Sequence, residues 1–144
     1  MTGDIEKLFR LSLDLICIAG TDGYFKKINP AFSKLLGYSE EELLKTPFLQ
    51  FIHPDDRENT MKEVESQLQG SPTLYFENRY LHKDGSARWL AWNAYADIQE
   101  GLLYAIARDV TGQKQTEAAL RDSEELLSVS LTPGLESQTE ARHR

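Results

Sequence analysis

Clustered basic residues, long apolar runs and paired cysteines are what this sequence has least of. Sixteen Lys and Arg stand against 23 Asp and Glu, giving a formal charge of −7, and the cations are scattered. That balance excludes the positive stripe of a nucleic-acid binder and argues against docking on an anionic membrane surface. Apolar runs such as Leu102 to Ala107 fall far short of the roughly 20 residues a spanning helix needs. No basic segment followed by an apolar core opens the chain, so no secretory leader is expected. A single cysteine, Cys17, excludes an intrachain disulfide and a cysteine-based metal cluster. The expected location is cytoplasmic, with any membrane anchor outside this chain. Also missing are an HExxH pair, a phosphate-binding glycine loop and a nucleophile elbow.

What is present describes a folded globule. The 144 residues are 40% hydrophobic, with six Phe, six Tyr and two Trp, enough for one domain with a real core. Ile5, Leu8, Phe9 and Leu13 fall on one face of a helix predicted over Asp4 to Leu13. Leu15 to Ala19 and Tyr24 to Ile28 read as strands about a turn at Gly20 to Gly23. Asn29-Pro30 is expected to cap a helix that stops at Gly37. Ser39 with Glu42 forms a capping box, and Pro47 opens a short turn ending at Ile52. The longest internal helix follows His53-Pro54-Asp55-Asp56, with Met61, Val64 and Leu68 as its predicted buried stripe and Gly70 as its end. Strands are predicted over Thr73 to His82, Ala87 to Ile98 and Leu102 to Val110, linked at Lys83-Asp84-Gly85 and Glu100-Gly101. Thr111 caps a last helix through about Val129, where Pro133-Gly134 ends it. These elements make an α+β domain: a five-stranded antiparallel sheet with a cluster of short helices on one face. The expected divisions are a domain with its N-terminal helix over 1–111, a linker helix over 112–129 and a disordered tail over 130–144.

A set of landmarks then recurs in a known order: Asp22-Gly23, Ile28-Asn29-Pro30-Ala31-Phe32, Leu36-Gly37-Tyr38-Ser39 with Glu40 to Leu43, Ile52-His53-Pro54-Asp55-Asp56, Lys83-Asp84-Gly85 with Trp89 and Trp92, and Arg108-Asp109-Val110-Thr111. Together they resemble the PAS domain, or sensory box, found in bacterial sensor histidine kinases. Each landmark alone is weak; six in order over Ile5 to Glu125 are specific. The resemblance implies the PAS fold. It also implies a joint at Asp109 and Thr111 where a change in the sheet passes to the C-terminal helix.

The residues offer no catalytic apparatus and no metal site. His53 reads as part of a capping turn with Pro54 as first helical residue, and the adjacent Asp55 and Asp56 point in different directions. Placed in the first turn of the long helix, both are expected to be favoured by its dipole. His82 ends a hairpin without a partner in sequence, and His143 lies in the tail. Cys17, between Ile16 and Ile18, reads as a small buried hydrophobe more than as a redox or chromophore site. There is neither the phosphoacceptor motif nor the nucleotide lobe of a sensor kinase.

Strand alternation places Phe76, Asn78 and Tyr80 on one face, and Leu90, Trp92 and Ala94 on one face of the next strand. The resemblance turns these inward, beside Cys17, Leu103, Ala105 and Ala107, with Met61 and Val64 from the long helix. Trp89, Tyr95, Tyr104 and Ile106 then lie outside. The resemblance argues against flavin: the segment that carries its reactive cysteine in blue-light relatives is here Lys45-Thr46-Pro47-Phe48-Leu49-Gln50, and Tyr80, Leu90 and Ala107 stand near the positions of its amide side chains. It argues against haem as well, since Pro54 to Gln69 contains no histidine. The interior either takes an unidentified small molecule or is filled by Phe76, Tyr80 and Trp92, filling being the commoner role of large aromatics.

The resemblance implies a non-catalytic regulatory module of signal transduction, the input domain of a two-component sensor histidine kinase whose parent protein is the enzyme. Modules of a cyclic-dinucleotide enzyme or a transcription regulator, and a dimerisation scaffold without ligand, remain as alternatives. Its expected partners are a second copy, through Ile5, Leu8, Phe9, Trp89 and Tyr104, and an output domain reached through the C-terminal helix. Leu120 and Leu127 are one heptad apart with polar Gln113, Thr116 and Ser123 in the same seam, which suits weak pairing between two registers.

Overall fold

The computed structural model describes the backbone of Thr2–Leu135 and the side chains of residues 3–124. Five helices and five strands follow in the order α1 (Thr2–Leu11), β1 (Leu15–Gly20), β2 (Phe25–Ile28), α2 (Pro30–Leu36), α3 (Glu40–Lys45), α4 (Arg57–Leu68), β3 (Thr73–Leu81), β4 (Ala87–Asp97), β5 (Leu102–Asp109) and α5 (Thr111–Leu135), with short 3-10 turns at Phe48–Phe51 and Pro54–Asp56 before α4. The strands form one antiparallel sheet in the order β2-β1-β5-β4-β3. Its first and last strands meet in the middle, so β1 and β5 carry the core and β2 and β3 are the edges. The chain divides after Val110 into this domain and the α5 segment.

Alternation along the strands sorts residues between the two faces. Leu15, Cys17, Ala19, Phe25, Leu90, Trp92, Leu103 and Ala107 of the sheet are buried together with Phe32, Leu36, Leu43, Phe48, Phe51 and Ile52 from the opposite layer. The two aromatic sets interlock edge to face, as in Phe25 on Phe32 and Tyr38 on Phe51. Gly37, at φ 83°, ends α2 in the left-handed region. A Cβ there would meet the His82 ring at 2.7 Å, so only glycine lets the end of α2 approach the β3–β4 hairpin.

Several local devices are as expected and two are not. The Ser39 hydroxyl accepts from Glu42 N and the Glu42 carboxylate accepts from Ser39 N, completing the capping box. Asn29 occupies the N-cap position of α2 without a side-chain capping bond. Its amide works elsewhere: Oδ1 accepts from Ile16 N at 3.1 Å, and Nδ2 donates to Phe9 O at 3.1 Å and Asp14 O at 2.9 Å. Phe9 O is the carbonyl that Leu13 N would take if the helix continued, which is why α1 stops at Leu11 and not at Leu13. At the other end, α5 runs past the expected stop at Val129 to Leu135. A proline both loses a backbone bond and crowds the carbonyl four residues back, which ordinarily kinks or breaks a helix, yet the helical backbone continues past Pro133. The tail beyond 135 lies outside the described residues.

Asp56 is the second departure. It precedes α4 but makes no capping bond with its side chain. Its carboxylate accepts from Arg79 N at 2.7 Å and from Arg79 Nε and Nη2 at 2.9 and 2.7 Å, while the guanidinium lies 5.1 Å from the centre of the Trp89 ring. This bidentate pair ties the start of α4 to the edge strand β3. Hydrogen bonding from Arg79 holds the Asp56 carboxyl below its ordinary value of 3.8. A depressed folded pKa stabilises the fold above the unfolded value and loses that contribution as pH falls through the folded one.

Two measurements test these ties. Asn29→Ala leaves part-buried backbone groups at Ile16 and Phe9 without their partner and takes one of two donors from Asp14 O, and is expected to lower the unfolding free energy by about 1–3 kcal/mol in urea titrations. Asp56→Asn is expected to be less stable than the wild type at neutral pH, with the difference shrinking as pH falls below about 4. A difference that stays constant down to pH 2 would contradict the ion pair.

Candidate functional site

Between α4 and the inner face of the sheet lies a cavity of about 70 Å3. Its apolar wall is built by Cys17 and Ala19 of β1, Phe25, Phe48, Phe76, Trp92, Leu103 and Ala105. A second wall is polar: Thr60, Glu63 and Gln67 face it from α4, and Thr73, Asn78 and Tyr80 from β3. Polar side chains facing inward need partners, and here all but Tyr80 find them in two short relays.

In the first relay the Trp92 indole Nε1–H donates to Asn78 Oδ1 at 2.8 Å, Asn78 Nδ2 donates to Thr60 Oγ1 at 3.1 Å, and the Thr60 hydroxyl donates to the Asp56 carbonyl at 2.7 Å. An indole only donates and a carbonyl only accepts, so the direction of the chain and the orientation of the Asn78 amide are both determined. In the second, Gln67 Nε2 donates to Thr73 Oγ1 at 2.8 Å and that hydroxyl donates to Glu63 Oε2 at 2.6 Å. The two relays pin α4 to the edge strand at its first and last turns, and the cavity lies between them.

Of the expected lining residues, Cys17, Val64, Phe76, Asn78, Tyr80, Trp92, Leu103 and Ala105 border the cavity. Leu90 and Ala107 do not: they are fully buried in the core, as fillers. Met61 lies instead along a neighbouring surface cleft with Pro47, Phe48 and Leu49. The reason is a rotation of α4 relative to its apolar pattern. Its buried residues are Thr60 and Gln67, while Val64 and Leu68 are only partly buried. Thr60, Glu63 and Gln67 were therefore missed. Their one signal in the sequence is the i, i+3, i+7 spacing of polar residues opposite an inward-facing Asn78, Thr73 and Trp92.

Other expected residues fall as follows. Burial pushes the Cys17 thiol up to about 12, so it stays protonated and inert. His53 Nδ1 accepts from Asp55 N at 3.1 Å, closing the turn before α4. Among the described residues no group of three or more His, Cys, Asp and Glu stands where a metal ion could be held. On the outer face, Tyr104 stacks on Tyr95, and a groove of about 590 Å3 runs between α1 and the sheet, bordered by Ile5, Phe9, Leu74, Tyr95, Tyr104 and Ile106.

A sheet in the order β2-β1-β5-β4-β3, with α2 to α4 enclosing a cavity on one face, can be compared with known families. The sequence matches the family described as the PAS fold over residues 25–101. The chain belongs to the PAS family. This PAS domain is 27% identical to a PAS domain from Colwellia psychrerythraea, covering 77% of this chain and 98% of that one with a TM-score of 0.69. It is 31% identical to the PAS domain of an HTR-like protein from Haloarcula marismortui, over 75% and 96% of the two chains, with a TM-score of 0.61. Among full-length proteins it is 33% identical over 107 residues to the probable diguanylate cyclase DgcE of Escherichia coli (strain K12), covering 71% of this chain and 10% of that protein. It is 28% identical over 123 residues to the sensor histidine kinase TmoS of Ectopseudomonas mendocina, covering 80% of this chain and 12% of that protein. The chain thus spans about a tenth of the length of these relatives. Among the described residues no helix is long and apolar enough to cross a membrane.

The first relay has a direct readout. Asn78→Leu leaves the Trp92 N–H without an acceptor and the Thr60 hydroxyl without its donor. It is expected to destabilise the PAS domain by about 1–3 kcal/mol and to speed exchange of the indole proton. In the wild type, iodoacetamide at pH 8 should leave Cys17 unmodified until the domain is unfolded; rapid modification of the folded domain would contradict its burial.

Proposed function

We propose that this PAS domain is the cytoplasmic input module of a two-component sensor histidine kinase, that it senses a small molecule in the cavity under α4, and that it works as a homodimer. The observation that carries this reading is the cavity itself, closed on one side by a helix whose buried residues, Thr60 and Gln67, are held through polar relays beside the partly buried Val64 and Leu68. Hydrogen bonds to a neighbouring strand can be exchanged for bonds to a ligand at small net cost, so such a helix can respond to occupancy. The volume supports a ligand far smaller than flavin or haem, which need pockets of roughly several hundred Å3.

Self-association is supported by the outer surface. Ile5 and Leu8 of α1 are exposed, as are Leu74 and Tyr95 beside the groove, an apolar patch of the kind a second copy covers. Trp89 contributes less than expected, being half-buried beneath Arg79. The signal is proposed to leave along the chain from Asp109, which ends β5, through Val110 to Thr111, which opens α5. In α5, Leu120 is exposed, and Leu127 lies outside the residues whose side chains are described. The acidic charge supports neither nucleic acid nor an anionic membrane as a partner.

A diguanylate cyclase is the second reading for the output, favoured by the 33% identity with DgcE. Sedimentation tests the dimer: association at tens of micromolar is expected, weakened by the pair Ile5→Lys and Leu8→Lys. A wild type that stays monomeric at high micromolar concentration would overturn it. Exchanging the matched segment of TmoS for this chain tests the input role, with kinase activity expected to remain regulated and constitutive or absent activity counting against it.

A further inference from the structure

We propose that the cavity selects a small uncharged molecule carrying a hydrogen-bond acceptor, which meets the Tyr80 hydroxyl, and that it rejects anions of the same shape. This rests on the reading that the cavity is the sensory site, and names the class of ligand it takes.

Three observations lead there. The first is Tyr80. It is 3% exposed, borders the cavity, and its ring packs against Trp92. Among the described residues its hydroxyl has no hydrogen-bond partner, although every other polar side chain on the cavity wall has one. A buried phenol normally finds a partner, and leaving it without one carries a desolvation penalty. Burial holds its pKa well above the ordinary value, so the group remains a donor and asks for an acceptor.

The second is Gln67, also buried. Thr73 spends its only hydroxyl proton on Glu63, so the Gln67 amide must present its nitrogen to Thr73. The Gln67 carbonyl is thereby left without a donor among the described residues. The wall thus offers one donor at Tyr80 and one free acceptor at Gln67.

The third is charge. Among the described residues no Lys, Arg or His borders the cavity, and Glu63 is the one carboxylate that does. An anion entering would lose its hydration with no cation to meet it and a carboxylate nearby, which is costly in a low-dielectric site. A small cation of the same shape could still be drawn to the Glu63 carboxylate, which Thr73 engages at one oxygen, but an amidinium has only donors and cannot accept from the Tyr80 hydroxyl. Size completes the description. A dry cavity of ~150 Å3 holds benzene, so about 70 Å3 suits roughly three to five non-hydrogen atoms. Anything larger must part α4 from β3, which means breaking the Asn78–Thr60 or the Gln67–Thr73 bond.

Four near-isosteric probes isolate the charge: acetone and acetamide are neutral, acetate is an anion and acetamidinium a cation. Each is titrated into the purified domain at fixed ionic strength, following the Trp92 indole N–H resonance and the melting temperature. Acetone and acetamide are expected to bind at least about tenfold more tightly than acetate and acetamidinium, because the charged probes must give up their hydration to enter. Tyr80→Phe is expected to weaken acetone binding by up to about tenfold, the worth of about one neutral hydrogen bond, while melting no lower than the wild type without ligand, because a buried unpaired hydroxyl has been removed. Acetate or acetamidinium binding as well as acetamide would overturn the proposed class and leave the sensory cavity standing. Equal binding of acetone by Tyr80→Phe would overturn the role of the hydroxyl. If none of the four shifts the indole resonance, the proposal and the sensory reading of the cavity fall together.

Discussion

One buried amide decides how this domain closes. Asn78 stands on the inner face of an edge strand, where an apolar side chain would be the ordinary choice. It accepts from the Trp92 indole beside it and donates to Thr60 on α4. Through these bonds the largest inward-facing ring of the sheet is oriented, and the helix above it is set at hydrogen-bonding distance. An apolar residue at 78 would bury comfortably but would leave the Trp92 indole N–H stranded and the Thr60 oxygen without its donor. A domain this small has few kcal/mol to spare for such losses.

The shape of the cavity follows from that constraint. α4 is held at Thr60 and again at Gln67, about 10 Å apart along the helix axis, and between these points it lies over aromatic rings without closing on them. The apolar core proper is elsewhere, beneath α2, α3 and the turn at Phe48–Phe51, where Phe32, Leu36, Leu43 and Ile52 are fully buried. The domain therefore has a rigid half, cemented by apolar packing and by the Asn29 clamp on α1 and β1, and a half held by exchangeable polar bonds. Division of labour of this kind suits a module that must stay folded while one element responds to occupancy.

Much of the architecture was legible in the residues. Alternation in β3, β4 and β5 assigned the inner and outer faces, and eight of the expected cavity residues border it. Turn and cap chemistry located Gly37, the Ser39 capping box and the hairpins, because these are short-range effects in which the residues concerned are neighbours in the chain. The misplacement of Met61 and the omission of Thr60 and Gln67 share one cause. Met61, Val64 and Leu68 form the apolar stripe of α4 and were expected to face inward, yet the helix turns Thr60 and Gln67 to the core. A helical pattern shows which residues share a face; it does not show that partners across the gap are waiting for the polar one.

The same distinction runs through the whole protein. Its α+β class, the antiparallel pairing of its strands and its place in the PAS family are properties of local patterns and ordered landmarks, and the chain by itself determined them. What only the tertiary structure decided are the matches between side chains far apart in sequence. Asn29 reads locally as a helix cap and is a clamp on Phe9, Ile16 and Asp14; Asp56 reads as a helix-dipole residue and is the partner of Arg79; Tyr80 reads as core and is an unpaired donor in a cavity. In each case the residue's chemistry was visible, but a hydrogen bond depends on distance and angle to a particular atom, and those exist only once the chain has folded.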